Sequence, residues 1–320
     1  MPPIKRRIKR LLKGKVFRKS EFGTGFSDKT LRGRLLPAEG RTEGVRAFPV
    51  VLELPSEPGI ESAALEPVRI FIGTEPAQHR AERVLLWSIL KHRSPRRAYQ
   101  VYLMKDIKGL DRRKWKTGFT GYRYAIPAWA GFSGRAIYND VDQIYLRDPA
   151  ELFSLDMDSA GVLAVESRDT SVMLMDCDLL SSHWNLDTLR DTDIQGMHTS
   201  MLRRVRAAGL ISDLPPQWNA RDHEYAAQNS CLLHYTILHT QPWQPFPRAL
   251  RYRPNPLAHL WFELEAEADE ASFAMALKTG VEDYEALESH FRVQEPPAAG
   301  TLTGRTGNNG ISRGASQGPG

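Results

Sequence analysis

One stretch of the sequence constrains the fold more than any other. A β-branched run at residues 68–74, a helical pattern at 77–91 and an apolar run at 99–104 follow in succession. They predict a strand, a helix and a second strand. Because strands joined by a helical crossover lie parallel in one sheet, this βαβ unit predicts an α/β domain. We expect a Rossmann-type central sheet that is mostly parallel and flanked by helices.

Apolar and helical patterns continue this arrangement, which predicts a single domain at residues 67–265. The chain of 320 residues has room for one large or two small domains. The further strands are predicted at 135–138, 161–165, 171–175 and 230–235, and the further helices near 122–130 and 194–208.

The segments outside this domain are harder to assign. Residues 21–66 form an N-terminal extension whose one apolar patch, 48–54, is interpreted as a strand or an edge extension. A C-terminal helical segment is predicted at 266–292, beginning with a Glu- and Ala-rich surface helix at 263–278. Residues 293–320 are rich in Gly and Pro and predict a flexible, disordered tail.

The positive charge of the chain is concentrated at its start. The formal net charge is +5, but the first nineteen residues carry nine Lys and Arg side chains and no acid, so the remainder is slightly acidic. A nucleic-acid-associated protein acting through this arm is one alternative, and the acidic remainder argues against it. We expect no nucleic-acid partner.

Apolar residues recur at helical spacing within residues 1–20, which predicts a basic amphipathic arm. Residues 1–19 could lie on an anionic membrane surface, and a solvated, disordered leader is the alternative. The apolar stretches are too short for a signal peptide or a membrane span. The two cysteines, Cys177 and Cys231, fit a reducing compartment. These features predict a cytoplasmic protein, peripheral on the inner membrane face.

Two carboxylates, Asp140 and Asp142, follow the strand predicted at 135–138. Ligands of open α/β sheets bind at the carboxyl ends of the strands, and hard oxygen ligands there suit Mg²⁺ or Mn²⁺ bridging a diphosphate. Taken alone, however, acidic residues after a strand are usually turn formers or helix caps.

Five segments together resemble glycosyltransferase family 8. The Asp-x-Asp segment at 135–153 is similar to the family's Tyr-Leu-Asp-Ala-Asp strand end and the helix after it. The matches occur in family order across about 175 residues, and the other four lie at 68–91, 121–127, 171–175 and 232–243, the last containing Leu-Leu-His-Tyr and Gln-Pro-Trp.

The resemblance implies a GT-A fold in which Asp140, Asp142 and His234 hold Mn²⁺ (or Mg²⁺). It implies a nucleotide-sugar donor, UDP-linked, and a glycan or lipid-linked glycan acceptor, with hexosyl transfer that retains the anomeric configuration. The residues placed at the donor by the same resemblance are Thr74, Glu75, Arg123, Asp140, Asp169 and His239, with Glu75 standing in for an aspartate.

This chain departs from the family pattern at several positions. Asp169 replaces a sugar-binding asparagine, and the family's Asp-Gln pair is not visible, the nearest stretch being 197–202. The phosphate-binding lysine is replaced by Thr240 or Gln241, and His239 could compensate. No catalytic residue is assigned. A catalytically weakened nucleotide-sugar or glycan-binding protein on the same fold is therefore the alternative.

Overall fold

The computed structural model describes residues 46–57, 65–112, 115, 117–191, 196–248, 250–273 and 292–294. The predicted arm at 1–20 and all of the predicted tail after residue 294 lie outside these residues. Within the described ranges, no helix has the length and apolar character needed to cross a bilayer.

The fold is α/β, with a central mixed sheet flanked by helices. The strands of the described residues are β1 (Val50–Leu54), β2 (Val68–Gly73), β3 (Tyr99–Met104), β4 (Arg135–Asp140), β5 (Gln143–Tyr145), β6 (Val162–Val165), β7 (Asp169–Asp176), β8 (Ile211–Asp213), β9 (Ala220–Arg221), β10 (Leu232–His234) and β11 (Arg292–Gln294). Eight of them form this sheet in the order β11-β1-β3-β2-β4-β7-β6-β8, and the three short strands of a second sheet follow the order β5-β10-β9.

In the part of the chain that the structure describes, six α-helices connect and cover these strands. They are α1 (His79–His92), α2 (Ile126–Trp129), α3 (Pro149–Phe153), α4 (Leu186–Asp191), α5 (Met197–Ala207) and α6 (Ala258–Glu270), with short 3-10 turns between several of them. The predicted βαβ unit is confirmed as β2, α1 and β3, and the buried face of α1 carries Val84, Leu85 and Ile89. An apolar face of this kind packs against the sheet and stabilises the unit by removing its surface from water.

The expectation of a mostly parallel sheet requires a correction. Of the pairings in the eight-stranded sheet, β2 with β3, β2 with β4 and β6 with β8 are parallel, whereas the other four are antiparallel. A tight hairpin between β6 and β7, which returns the chain antiparallel beside β4, accounts for two of these four pairings, and β1 makes the other two. Positive φ angles at Glu166 and Ser167 make that tight turn.

Both ends of the predicted domain also differ from the sequence interpretation. The patch at 48–54 contains β1, which pairs antiparallel with β3 and so belongs to the central sheet. Residues 293 and 294, predicted to begin the tail, lie in β11, which pairs with β1. The predicted helix at 263–278 starts earlier, at Ala258, and ends at Glu270. Strand pairing between distant segments, invisible to local periodicity, causes the differences at 48–54 and at 293–294.

Candidate metal centre

Two sheets meet where the candidate metal ligands lie. Asp140 is the last residue of β4, and Gly73 of β2 is its parallel neighbour. A Cβ atom at Gly73 would lie only 2.5 Å from the Phe119 ring and from the hydroxyl of Tyr138, so a larger residue would disturb this edge. The candidate site therefore lies at the carboxyl end of the parallel strands, where α/β sheets bind ligands.

The second sheet brings the histidine to the carboxylates. Strands β5 and β10 are antiparallel, and His234 pairs with Gln143, the residue after Asp142. The backbone N–H of Tyr235 donates to the carbonyl of Asp142 over 2.9 Å, which fixes this register. The three expected ligands are thus brought together from positions more than ninety residues apart, with one ligand atom of each within 4.8 Å of the others.

The contact between His234 and Asp142 has room for a positive charge, either a proton or a metal ion. Nε2 of His234 lies 3.2 Å from Oδ1 of Asp142, and Nδ1 lies 2.8 Å from Oδ1 of Asn219. If Nδ1 carries the proton of a neutral ring, two lone-pair atoms face each other at Asp142. Such a pair is stable when a proton or a metal ion lies between them. The residues present therefore fit a divalent cation.

The pKa shifts follow from the same crowding of charge. Burial alone would lower the pKa of His234, but the carboxylates of Asp142 and Asp140 outweigh it and raise the pKa. Burial raises the pKa of Asp140, and the like charge of Asp142 adds to this effect, while Arg123 opposes it. Both shifts show that the cluster favours added positive charge.

Arg123 and Tyr138 hold the Asp140 carboxylate. The Nη2 group of Arg123 donates to Oδ1 of Asp140 over 2.8 Å, and the hydroxyl of Tyr138 donates to the same oxygen. Arg123 also donates to the carbonyls of Thr120 and Thr170 and to the Thr170 hydroxyl. Because both bonds to Asp140 use Oδ1, Oδ2 is the oxygen of this carboxylate that could bind a cation. The main contact of Arg123 within the site is its hydrogen bond to Asp140.

Gln241 holds the second carboxylate. Its side-chain N–H₂ group donates to Oδ2 of Asp142 over 3.0 Å and to the carbonyl of Tyr235 over 2.9 Å. Gln241 is almost fully buried. Gln241, one of the two residues predicted to replace a phosphate-binding lysine, therefore orients a candidate metal ligand.

A cavity of about 710 Å³ opens beside the cluster. It is lined both by candidate ligands and by residues of the neighbouring loops and helix, among them His198, whose Nδ1 lies 2.6 Å from the hydroxyl of Tyr124. The lining residues are Thr117, Phe119, Thr120, Arg123, Asp140, Asp142, Arg168, Asp169, Thr170, Ser171, His198, Arg221, His234 and Thr236.

Asp169 lies on the cavity wall at the start of β7. Its Oδ1 accepts hydrogen bonds from the backbone N–H and from the hydroxyl of Ser171, and Oδ2 lies 3.8 Å from Nη1 of Arg221. Burial alone would raise the pKa of Asp169, but His234 and the two bonds from Ser171 outweigh it and lower the pKa. The carboxylate is therefore ionised at neutral pH.

Three predicted donor residues do not line this cavity. Thr74 is fully buried and its hydroxyl donates to Glu82 over 2.9 Å. Glu75 is also buried, and its Oε2 accepts from the backbone N–H of Gly118 over 2.8 Å. His239 lies in a 3-10 turn and is not among the lining residues. A role of Thr74, Glu75 and His239 at the donor stays a prediction.

The structure adds residues that the sequence interpretation missed. Asn219 and Ser171 lie beside His234 and Asp169, and Tyr138 lies beside Asp140. Ser171 and Tyr138 belong to strands that were predicted, but a strand pattern does not say which polar side chain points into a site. Asn219 ends a 3-10 turn that no periodic pattern marks.

No known family model and no curated protein matches this chain. Solved structures with a similar backbone include the apo form of the glycosyltransferase GlyE from Streptococcus pneumoniae TIGR4, 18% identical, with a TM-score of 0.45. That match covers 64% of this chain and 64% of GlyE, so the chain spans less than two thirds of that protein. The galactosyltransferase LgtC, in complex with donor and acceptor sugar analogs, is 11% identical with a TM-score of 0.41, over 69% of this chain and 100% of LgtC.

Proposed function

We propose that this protein is a metal-dependent glycosyltransferase of the GT-A type, similar to family 8. It transfers a hexose from a nucleotide sugar, UDP-linked, to a glycan or lipid-linked glycan acceptor, with retention of configuration. The observation that carries the proposal is the convergence of Asp140, Asp142 and His234 on one wall of a cavity large enough for a nucleotide sugar.

The donor set favours Mn²⁺ over Mg²⁺. Both ions accept carboxylate oxygens, but an imidazole nitrogen suits a transition metal better than Mg²⁺, which prefers oxygen and water. Asp140, Asp142 and His234 would hold the ion through Oδ2, a carboxylate oxygen and Nε2. When bound, the ion supplies positive charge that stabilises the departing diphosphate.

The other side chains of the cavity hold the ligands and the donor in place. Arg123 fixes Asp140 and keeps one N–H of its Nη2 group for a phosphate oxygen. Asp169, an ionised acceptor, can receive a hydrogen bond from a sugar hydroxyl. Because these groups are already fixed by bonds within the protein, little ordering is needed when the donor binds.

The proposal is tested by nucleotide-sugar binding and turnover with and without Mn²⁺. We expect UDP-sugar to raise the melting temperature only when Mn²⁺ is present, since a ligand of the folded state stabilises it by mass action. Asp142→Asn should weaken Mn²⁺-dependent binding at least about 100-fold, more than the loss of a group that merely supports a ligand.

Asp176→Asn is the matched control. Asp176 also ends a strand, but its backbone partner is Arg135, at the opposite end of β4 from Asp140. Its Oδ1 accepts from the backbone N–H groups of Asp178 and Leu179. It should bind Mn²⁺ and donor like the wild type. Equal affinity of the wild type and Asp142→Asn for Mn²⁺ and UDP-sugar would refute the metal centre.

A second candidate function is a binding protein without turnover. Gln241 favours it, because either this residue or Thr240 replaces the expected lysine, and the Gln241 side chain donates to Asp142 and Tyr235. This function predicts Mn²⁺-dependent binding of the donor with neither hydrolysis nor transfer. Hydrolysis of the donor that Asp142→Asn abolishes would decide for the enzyme.

The place of action belongs to the same proposal. We propose a cytoplasmic enzyme held at the inner membrane face by the basic residues 1–19, supported by their charge and helical apolar spacing. Deletion of these residues should weaken binding to anionic vesicles and leave transfer to a soluble acceptor intact. Unchanged vesicle binding would exclude this anchor.

A further inference from the structure

A chain of hydrogen bonds leads from Asp169 to the histidine of the candidate metal centre. Asp169 Oδ1 and the Ser171 hydroxyl are 2.5 Å apart, Ser171 Oγ and Asn219 Nδ2 are 3.1 Å apart, and Asn219 Oδ1 and His234 Nδ1 are 2.8 Å apart. Ser171, Asn219 and His234 are all buried. Buried polar groups keep their hydrogen bonds, so every link constrains the next.

The direction of each bond follows from the first one. Asp169 is an aspartate, which is ionised at neutral pH and can only accept, so the hydroxyl of Ser171 donates to it. The lone pairs of Ser171 Oγ then accept from Asn219, which places the N–H₂ group of Asn219 toward Ser171. The carbonyl oxygen of Asn219 therefore faces His234, and Nδ1 of His234 must carry a hydrogen.

We propose that Asp169, Ser171 and Asn219 act as positioning residues that fix the Nδ1–H form of His234 and thereby present Nε2 to the cation. The inference rests on the proposed function for the cation itself. Partners of this kind orient the ligating histidine in metal sites and raise its basicity. It gives Asp169, predicted as a sugar contact, a role that acts through two other side chains.

The first test measures the ring form of His234 directly, without any metal. In ¹⁵N-labelled metal-free protein, at a pH where the ring is neutral, NMR should show the hydrogen on Nδ1. Asn219→Leu removes the acceptor and should shift the ring toward the form with the hydrogen on Nε2, beside Asp142. Asn219→Asp keeps an oxygen at this place and should keep the Nδ1–H form. An unchanged ring in Asn219→Leu would overturn the proposal.

The second test measures Mn²⁺ affinity by calorimetry. Asn219→Leu should weaken Mn²⁺ binding by about 10–100-fold, the usual cost of losing the partner of a metal-ligating histidine. Ser171→Ala, one hydrogen bond farther from His234, should weaken Mn²⁺ binding less. This variant replaces Asn219→Leu in the test if Asn219→Leu does not fold. Wild-type Mn²⁺ affinity in both variants would also overturn the proposal.

Asn255→Leu is the control for the loss of a buried amide. Asn255 is buried and donates to Asp222, which is not a candidate ligand. This variant should lose stability but keep the ring form and the Mn²⁺ affinity of the wild type. If the wild type binds no Mn²⁺ while NMR shows the expected ring forms, the proposed function fails and the positioning chain stands.

Discussion

The carboxyl ends of β2 and β4 are neighbours in the sheet, yet the charged side chains near them differ in how their charges are balanced. Beyond β2, Glu82 accepts from Thr74 and from the ammonium of Lys105, and all three are buried or nearly so. At the end of β4, Asp140 and Asp142 lie beside a cavity, where Arg123 donates to Asp140 and His234 lies 3.2 Å from Asp142.

The difference lies in whether the charges are balanced inside the protein. At β2 a cation of the chain already neutralises the buried acid, so the cluster is complete without a ligand. At β4 one arginine, Arg123, faces two acids, so one negative charge is left unbalanced when His234 is neutral. The raised pKa values of Asp140 and His234 have the same cause. Under the proposed function, the β2 end contributes to stability and the β4 end to binding.

The largest effect is expected at the β2 end, on stability. Glu82→Ala removes the carboxylate and leaves the ammonium of Lys105, 9% exposed, in a site that was built for an ion pair. Truncation of one partner of a buried pair costs about 3–5 kcal/mol, to be measured by urea unfolding. Mn²⁺ affinity should remain that of the wild type. A loss of Mn²⁺ affinity in folded Glu82→Ala would show that the two ends are not separate.

A smaller effect is expected for Thr74. Thr74→Val removes one buried hydrogen bond to Glu82 and keeps the shape of the side chain, so unfolding should become easier by about 0.5–1.5 kcal/mol. This variant also decides the sequence-based prediction that Thr74 contacts the nucleoside. A stable Thr74→Val protein with weakened nucleotide affinity would confirm that prediction and show that Thr74 does more than support Glu82.

The position of Asp140 and Asp142 at the β4 end could be predicted from the sequence because it depends only on neighbouring residues. Asp140 and Asp142 follow an apolar strand directly, and the predicted βαβ unit places that strand end at the ligand-binding edge. The candidate ligand His234, in contrast, was predicted only from the resemblance to glycosyltransferase family 8, which depends on the order of several similar segments along the chain. Its position beside Asp142 depends on the register of β5 with β10, which no local pattern contains.

The hydrogen-bond partners of the side chains at the β2 end could not be predicted from the sequence, for a physical reason. The sequence places Thr74 and Glu75 after a strand. It does not show that Thr74 donates a hydrogen bond to Glu82 or that Glu75 accepts one from the backbone of Gly118. The same limit applies to the sheet: local periodicity predicts strands, whereas the antiparallel additions of β1 and β7 depend on contacts between distant segments.

The smallest effect concerns the pH dependence of stability at the β4 end. The pKa of Asp169 is lowered in the folded protein because His234 and the bonds from Ser171 outweigh burial. A group whose pKa is lowered by folding stabilises the protein above its ordinary pKa of 3.8, and this contribution is lost as the pH falls through the lowered value. Asp169→Asn, which has no charge to lose, should therefore flatten the acid limb of the unfolding free energy against pH.

Ser171→Ala should lie between the wild type and Asp169→Asn, because it removes one of the two bonds that favour the ionised carboxylate but leaves the backbone donor. Urea unfolding at a series of pH values down to the acid limb measures all three. If the three slopes coincide, Asp169 has the same pKa in the folded and unfolded chain. The carboxylate would then not be held by Ser171, and the β4 end would be less preorganised than its geometry indicates.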